Sequence, residues 1–599
     1  MKEDITLKKL LSLILAIALL AGISLSVAAE SKETTLFKAG TYSAKAFGNN
    51  DYVHVEVDVS DSEILRVEVV EHHETKYMAD PAIEKIPAQV VAFQTINVDS
   101  VTGATVTSAA IRLAVRDALE QACNDISKLQ KDIPDPEMTN EEKTYDFDIV
   151  IIGAGGAGLS AAVSAAENGA TNIAVLEKMP SIGGNTVRSG GLYNCADPVR
   201  QPRQNIEDSP EKHYEQTLAG GDNVGDPVLI RTMTYKGFDT LCWLENLGMN
   251  FLPEVSQATG ALWPRSHQAT EPAGIPFIDC LYDKAKANGT EFFIETKAES
   301  LIVKDGRVVG VEAVNATGDK LIFNAKQAVI NAAGGYGANV EMRMEANPAL
   351  DKRVPTTNHP GATGDGILMA TAIGAATVGM DYVQVHPLAT PGSGALNGRA
   401  RRTGGVDSII VVNKEGLRFV NEGQRRDVLT AAILEQTDGV VYEINDAQIV
   451  GEVNQWGENV EIMIERGRVF KADTLEELAA MLGIDGAALV KTVETFNGYV
   501  DKKNDPEYGR TLWDLKIEKA PFYGVKRSPS VHHTMGGLKI NANAQVLSTE
   551  NAIIPGLFAC GEVTGGIHGS NRLGGNAITD IMVFGRIAGQ NAAKMFSVE

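Results

Sequence analysis

The chain of 599 residues is too long for one ordinary core, and its 44% hydrophobic and 22% charged residues are those of soluble globular domains. A formal net charge of −23 argues against nucleic acid and anionic membrane surfaces as partners. Five scattered cysteines (Cys123, Cys195, Cys242, Cys280, Cys560) without a C-x-x-C exclude a c-type haem site and argue against a zinc ribbon or a disulfide framework, so no metal site is expected.

Lys2, Lys8 and Lys9 precede an apolar run from Leu10 to Val27, and Val27-Ala28-Ala29 offers small residues for cleavage. Residues 1–29 therefore read as a signal peptide, predicting an exported protein in the periplasm or at the cell surface. The run is almost long enough to span a bilayer, which leaves an uncleaved membrane tether as the alternative. Residues 36–128 read as a small α+β domain. Val53, Val55, Val57 and Val59 alternate with polar residues, as do Leu65, Val67 and Val69, which predicts a half-buried hairpin. Ile111, Val115, Ala118 and Ala122 then share one helical face, with Thr107 or Ser108 as the expected N-cap. Residues 129–145, acidic and holding Pro134 and Pro136, read as a linker.

Ahead of that helix stands Asp99-Ser100-Val101-Thr102-Gly103-Ala104-Thr105. It resembles the D-x-x-[ST]-G-A-[ST] signal of small FMN-binding domains. The resemblance implies that a transferase joins the FMN phosphate covalently to Thr105. Gly103 and Ala104 leave room for a phosphate, and a helix N-terminus stabilises its charge.

A new unit starts near residue 145. The apolar strand Asp148–Ile152 runs into Gly153-Ala154-Gly155-Gly156-Ala157-Gly158, which opens the helix Leu159–Asn168. Gly153 allows the tight turn, Gly155 the approach of a pyrophosphate, and Gly158 the packing of helix on strand. Glu177 ends the next strand, Ile173–Leu176, where a carboxylate can hold the ribose hydroxyls. This motif alone does not separate NAD from FAD.

The blocks that follow do. Gly183-Gly184-Asn185-Thr186, Ser189-Gly190-Gly191, Asn331-Ala332-Ala333-Gly334-Gly335, Thr363-Gly364-Asp365-Gly366, Gly561-Glu562 and Arg572-Leu573-Gly574-Gly575-Asn576-Ala577 come in the order of the fumarate reductase and succinate dehydrogenase flavoprotein superfamily, which the chain resembles over nearly all of 145–599. The resemblance implies non-covalent FAD held by Gly153, Gly155, Gly158, Glu177, Asn185, Thr186, Gly190, Gly191, Ala333, Gly334, Asp365, Glu562, Arg572, Asn576, Ala577 and Ile578. Between these blocks, Leu301–Val303 and Val308–Val314 read as a hairpin about Asp305-Gly306, and 474–500 as helical.

Val385-His386-Pro387, Arg418-Phe419-Val420-Asn421-Glu422, Arg426-Asp427, His532-His533-Thr534-Met535-Gly536-Gly537 and Gly569-Ser570-Asn571-Arg572 resemble flavocytochrome c fumarate reductases. By that resemblance His386, His532 and Arg572 hold substrate oxygens, Arg426 is the proton donor, and Gly191 and Gly575 line the pocket. One segment departs. The family's fumarate enzymes place a Thr-Glu pair here; the glutamate is absent, and 388–408 is about three residues longer, reading Gly398-Arg399-Ala400-Arg401-Arg402-Thr403-Gly404-Gly405. An FMN domain in front of such an FAD domain is the arrangement of exported urocanate reductases and related enoate reductases.

The reading is an α/β protein. A Rossmann-like FAD-binding domain (145–379 and 519–599) carries an inserted α+β capping domain (380–518), preceded by the small α+β FMN-binding domain. The expected reaction is reduction of the carbon–carbon double bond of a small unsaturated carboxylate of urocanate or aryl acrylate type. Fumarate is the alternative, with Arg401 or Arg402 replacing the lost contact. Electrons would enter through FMN from a membrane or extracellular donor. An oxidase or dehydrogenase such as a ketosteroid dehydrogenase, or a flavin carrier without catalysis, are the rival readings.

Overall fold

The computed structural model describes residues 35–596 apart from 124, 403 and 512–514, so the expected signal segment and Thr403 lie outside the described residues. No described helix is long and apolar enough to cross a membrane.

The first unit is a three-stranded antiparallel sheet, Gly40–Phe47, Tyr52–Val59 and Ile64–Glu71, covered by the helices Asp80–Phe93 and Thr105–Ala122. Val53, Val55 and Val57 are fully buried beneath Ile111, Ala114, Val115 and Ala118, as the two periodicities require. Leu65 is not. A register shift between Asp58 and Val59 turns it outward and leaves Ile64 and Val67 facing the core. The second helix also starts earlier than expected, at Thr105, with Ala104 at the N-cap and no side chain capping it. Thr107 and Ser108 are engaged elsewhere. The Thr107 hydroxyl donates to Glu74 Oε2, and Ser108 Oγ accepts the Val101 N–H at 3.0 Å.

The main sheet takes the strands in the order Thr296–Lys304, Arg307–Asn315, Lys320–Asn331, Glu142–Ile152, Ile173–Leu176, Glu291–Phe293. The last four run parallel, and Ile553–Ala559 joins Lys320–Asn331 in parallel as well. Glu142–Ile152, Ile173–Leu176 and Lys320–Asn331 are buried over their last four residues, which explains their continuous apolar runs. The first strand begins at Glu142, five residues ahead of Phe147, because Lys320–Asn324 pair with Glu142–Asp146, so the irregular connection is shorter than the expected linker.

The cap is a second sheet, Val383–Ala389, Phe522–Thr534, Val441–Asp446 and Ile410–Val412, with Phe470–Ala472 also on Phe522–Thr534. Phe522–Thr534 thus belongs to the cap's sheet beyond the expected boundary at 518, and it carries His532 back to the FAD domain. The expected helix 474–500 is two, Leu475–Leu482 and Gly486–Lys502, separated where Gly483 takes a left-handed conformation. The FMN unit meets both others. Lys85 Nζ lies 2.7 Å from Glu295 in the FAD domain, and the Asn459 N–H of the cap donates to Asn50 O at 3.0 Å.

Candidate active site

Two cavities with empty volumes of about 1000 and 870 Å³ share Asn185, Thr186, Glu562 and Ile581, and so form one elongated cleft. The half at the strand ends is lined by Gly153, Gly155, Glu177, Ala333, Gly334 and Asp365. Its backbone fits a dinucleotide. A Cβ on Gly153 would lie 2.5 Å from Ala332 O and one on Gly158 2.0 Å from Gly153 O, whereas nothing comes closer than 3.9 Å to one on Gly155. The first two glycines make the turn and the packing, and Gly155 leaves the backbone open to a phosphate at the start of the helix Gly156–Glu167. The Glu177 carboxylate accepts from the Ala154 and Met179 N–H groups at 3.0 and 2.9 Å, and burial raises its pKa. Asp365 is paired with Lys178 at 2.7 Å.

The other half is lined by Gly190, Gly191, His386, Arg426, His532, Arg572, Gly575, Ala577 and Ile578. The residues expected to hold FAD and substrate therefore converge on one cleft, with two exceptions. Gly158 acts through packing only, and Asn576 is absent from the lining. Asn576 Oδ1 sits 2.9 Å from both Asn194 Nδ2 and His213 Nε2, and its amide donates to Thr217. Its side chain is fully engaged in joining its helix to the segment 194–217.

His386 and His532 lie edge to face with ring centroids 5.0 Å apart. His386 Nδ1 accepts the Leu388 N–H at 3.1 Å, which leaves the proton of the neutral ring on Nε2 as a donor. Thr357 Oγ1 holds His532 Nδ1 at 2.8 Å. Burial, reinforced by Arg426 and other nearby arginines, keeps both rings well below the ordinary histidine pKa and hence neutral. Arg572 is lowered to about 10 by burial, against the opposing pull of Glu562 and Asp580. Arg426 is held at two points, Nε donating to Thr259 O at 3.0 Å and Nη1 to Gln384 Oε1 at 2.8 Å. Burial first, then Arg572 and Arg399, drives its pKa well below that of a free guanidinium.

Gln384 was not expected. It shares the inward face of its strand with His386 two residues on, which is the signal that could have found it. Its amide also donates to Asn571 Oδ1 and Arg572 O, so one side chain ties Arg426 to the Arg572 segment. Arg399, Gln455 and Trp456 of the cap, also unanticipated, complete the wall. Arg401 and Arg402 do not line it: Arg401 pairs with Glu443 at 2.9 Å, and Arg402 is exposed. In the FMN unit, Thr105 is exposed as the first residue of an 18-residue helix with no capping side chain, and Gly103 (φ 89°) faces His359 of the cleft wall. These residues fit a phosphoryl group on the threonine.

A flavin-dependent oxidoreductase is the class that this fold and cleft define. Residues 148–578 match the family described as FAD binding domain, and residues 48–120 the FMN-binding domain. The chain belongs to the FAD-dependent flavoprotein family that contains urocanate and fumarate reductases, and it carries an FMN-binding domain in front. It is 40% identical to the urocanate reductase of Eggerthella lenta over 94% of this chain and 95% of that one. It is 37% identical to the NADH:acrylate oxidoreductase of Vibrio harveyi over 93% of this chain, and spans only 62% of that relative. Among solved structures, the open conformation of a flavocytochrome c3 fumarate reductase superposes with a TM-score of 0.60 at 35% identity, covering 80% of this chain and 85% of that one.

Proposed function

We propose that the protein reduces the carbon–carbon double bond of a small α,β-unsaturated carboxylate, with FAD bound non-covalently in the cleft and FMN joined through its phosphate to Thr105. The observation that carries this is the convergence of Arg572, His386, His532 and Arg426 on a chamber continuous with the dinucleotide cleft. When bound, FAD supplies a hydride to the β-carbon. The chain supplies the rest. Arg572 and the two neutral histidines hold the carboxylate and draw charge toward its oxygens, which makes the β-carbon electrophilic. Arg426 gives its proton to the α-carbon, so that one hydride and one proton complete the saturated acid. Arginine is ordinarily a poor acid. Burial beside Arg572 and Arg399 destabilises the cation and makes proton release easier. The two hydrogen-bond partners fixing Arg426, Thr259 O and the Gln384 amide, are neutral, in keeping with the lost glutamate.

The likeness to a urocanate reductase supports an imidazole or aryl group at the other end of the substrate, and the likeness to fumarate reductases a second carboxylate. Export, maturation by an FMN transferase and an electron donor at the membrane or outside the cell complete the reading. The test is anaerobic: chemically reduced holoenzyme mixed with unsaturated acids should yield the saturated acids. Reoxidation by quinone or oxygen alone, with no acid reduced, would favour the oxidase or dehydrogenase reading.

A further inference from the structure

The chamber's lining is unbalanced in charge. Among its described residues Arg188, Arg399, Arg426 and Arg572 stand against one carboxylate, Glu562. Arg426 and Arg572 are accounted for above, and Arg188 donates through Nε to Thr357 O at 3.2 Å. Arg399 is different. It is 3% exposed and enters from the lengthened segment that lacks the family's glutamate. Its Nη2 donates to Leu388 O at 2.7 Å, and Leu388 is the residue whose N–H fixes His386. The two side chains are therefore set side by side on one backbone unit. Its Nε is buried without a hydrogen bond, 3.5 Å from a Glu443 carboxylate that Arg401 approaches more closely, at 2.9 Å. A donor without a partner is adjacent. Trp456 lines the same wall with its ring centroid 6.0 Å from the Arg399 guanidinium, and its buried Nε1–H has no partner.

One carboxylate shared by the Arg399 and Arg401 cations, beside an unpartnered indole N–H, leaves this wall short of acceptors and points to one that arrives with the ligand. We propose that Arg399, seconded by the Trp456 indole N–H, is the specificity-determining contact for a second anionic oxygen group, so that the preferred substrate is an unsaturated dicarboxylate. This rests on the reductase reading above and decides between the two kinds of far end left open there. The cap loop holds the arrangement: Asn454 Nδ2 donates to Arg399 O at 2.8 Å, and the Gly398 N–H donates to Glu458 at 2.6 Å. A neutral imidazole or phenyl group would bring no second anion to this wall, and a cationic ring would be repelled by Arg399.

The test compares fumarate, its monoamide, urocanate and cinnamate on wild-type holoenzyme, Arg399→Gln and Trp456→Phe. Two readouts are used: binding to the oxidised enzyme, seen as perturbation of flavin absorbance, and kcat/KM with a reduced viologen. Wild type should prefer fumarate over its monoamide by tenfold or more. Arg399→Gln should lower the fumarate-to-monoamide ratio by about 10- to 100-fold, the range of a charge-assisted hydrogen bond, and Trp456→Phe by a smaller factor. The proposal is overturned if wild type favours urocanate or cinnamate, or if Arg399→Gln depresses fumarate and monoamide equally. Should Arg399→Gln fail to fold, the wild-type ratio and Trp456→Phe still decide. Failure of wild type to reduce any of the four acids, while the flavins are reduced, would instead sink the reductase reading.

Discussion

Replacing Arg426 by alanine separates its two roles. The side chain donates to Thr259 O and to Gln384 Oε1, and its loss leaves two buried acceptors unpaired at about 1–3 kcal/mol each. Part of this is returned, because the truncation removes a cation that Arg572 and Arg399 repel. The net loss of stability is then about 1–3 kcal/mol, and the protein should fold and keep both flavins. The kinetic loss is larger. A positioned proton donor contributes about 10²–10⁴ in rate, or about 3–5 kcal/mol of transition-state stabilisation. Since the proton moves only in the transition state, kcat and kcat/KM should fall together, and binding of the acid to oxidised enzyme should change little. Arg426→Lys should fall between, because one ammonium cannot serve Thr259, Gln384 and the substrate in the geometry of a guanidinium. Flavin absorbance establishes cofactor content, and stopped-flow oxidation of reduced enzyme measures the step. Near-normal turnover by flavin-replete Arg426→Ala would refute the reasoning and leave Arg426 a structural residue.

Three other outcomes are expected. Intact mass of protein matured with the transferase should show one covalent FMN, lost in Thr105→Ala and kept in Ser100→Ala, whose exposed hydroxyl stands at an open position of the motif; a flavin retained on Thr105→Ala removes the site. Gln384→Leu should lower kcat by about 10- to 100-fold with little change in KM, the scale on which misplacing a catalytic group by an ångström acts, and an unchanged kcat would show that Arg426 needs no such support. Stability should decline as pH falls from about 6.5 toward 4. Burial, with Arg188 and Lys178 nearby, lowers the His359 pKa to about 4. The unfolded chain therefore takes up a proton near pH 6.5 that the fold refuses until about pH 4, and stability is lost across that window by about 3 kcal/mol for this residue. Urea denaturation of wild type and His359→Gln at several pH values checks this, since the variant should show a shallower decline; parallel curves would exclude His359.

The cleft was legible because its constraints are local. Gly153, Gly155 and Gly158 each answer a backbone demand within one turn, and the parallel strands announce burial on both faces by unbroken apolar runs. What was not legible depends on partners remote in sequence. Thr107 and Ser108 look like caps, yet their hydroxyls are drawn to Glu74 and Val101, so the helix starts at Thr105. Leu65 keeps the period of its strand, but a bulge facing Asp58–Val59 turns it outward. Phe522–Thr534 adjoins the final FAD segment in sequence and pairs instead with strands 383–389 and 441–446. Asn576 sits within a flavin-binding block, but His213 and Asn194 claim its amide. In the arginine-rich segment no periodicity distinguishes Arg399, which faces the chamber, from Arg401, which pairs with Glu443 behind it.

The most direct test of the central claim is anaerobic turnover of holoenzyme with a reduced viologen and a panel of α,β-unsaturated acids, followed by identification of the product. The account expects the saturated acid, formed in step with consumption of two electrons per molecule, and its loss in Arg572→Ala. Reduced flavins that persist in the presence of every unsaturated acid, yet are discharged by a quinone or by oxygen, would contradict it.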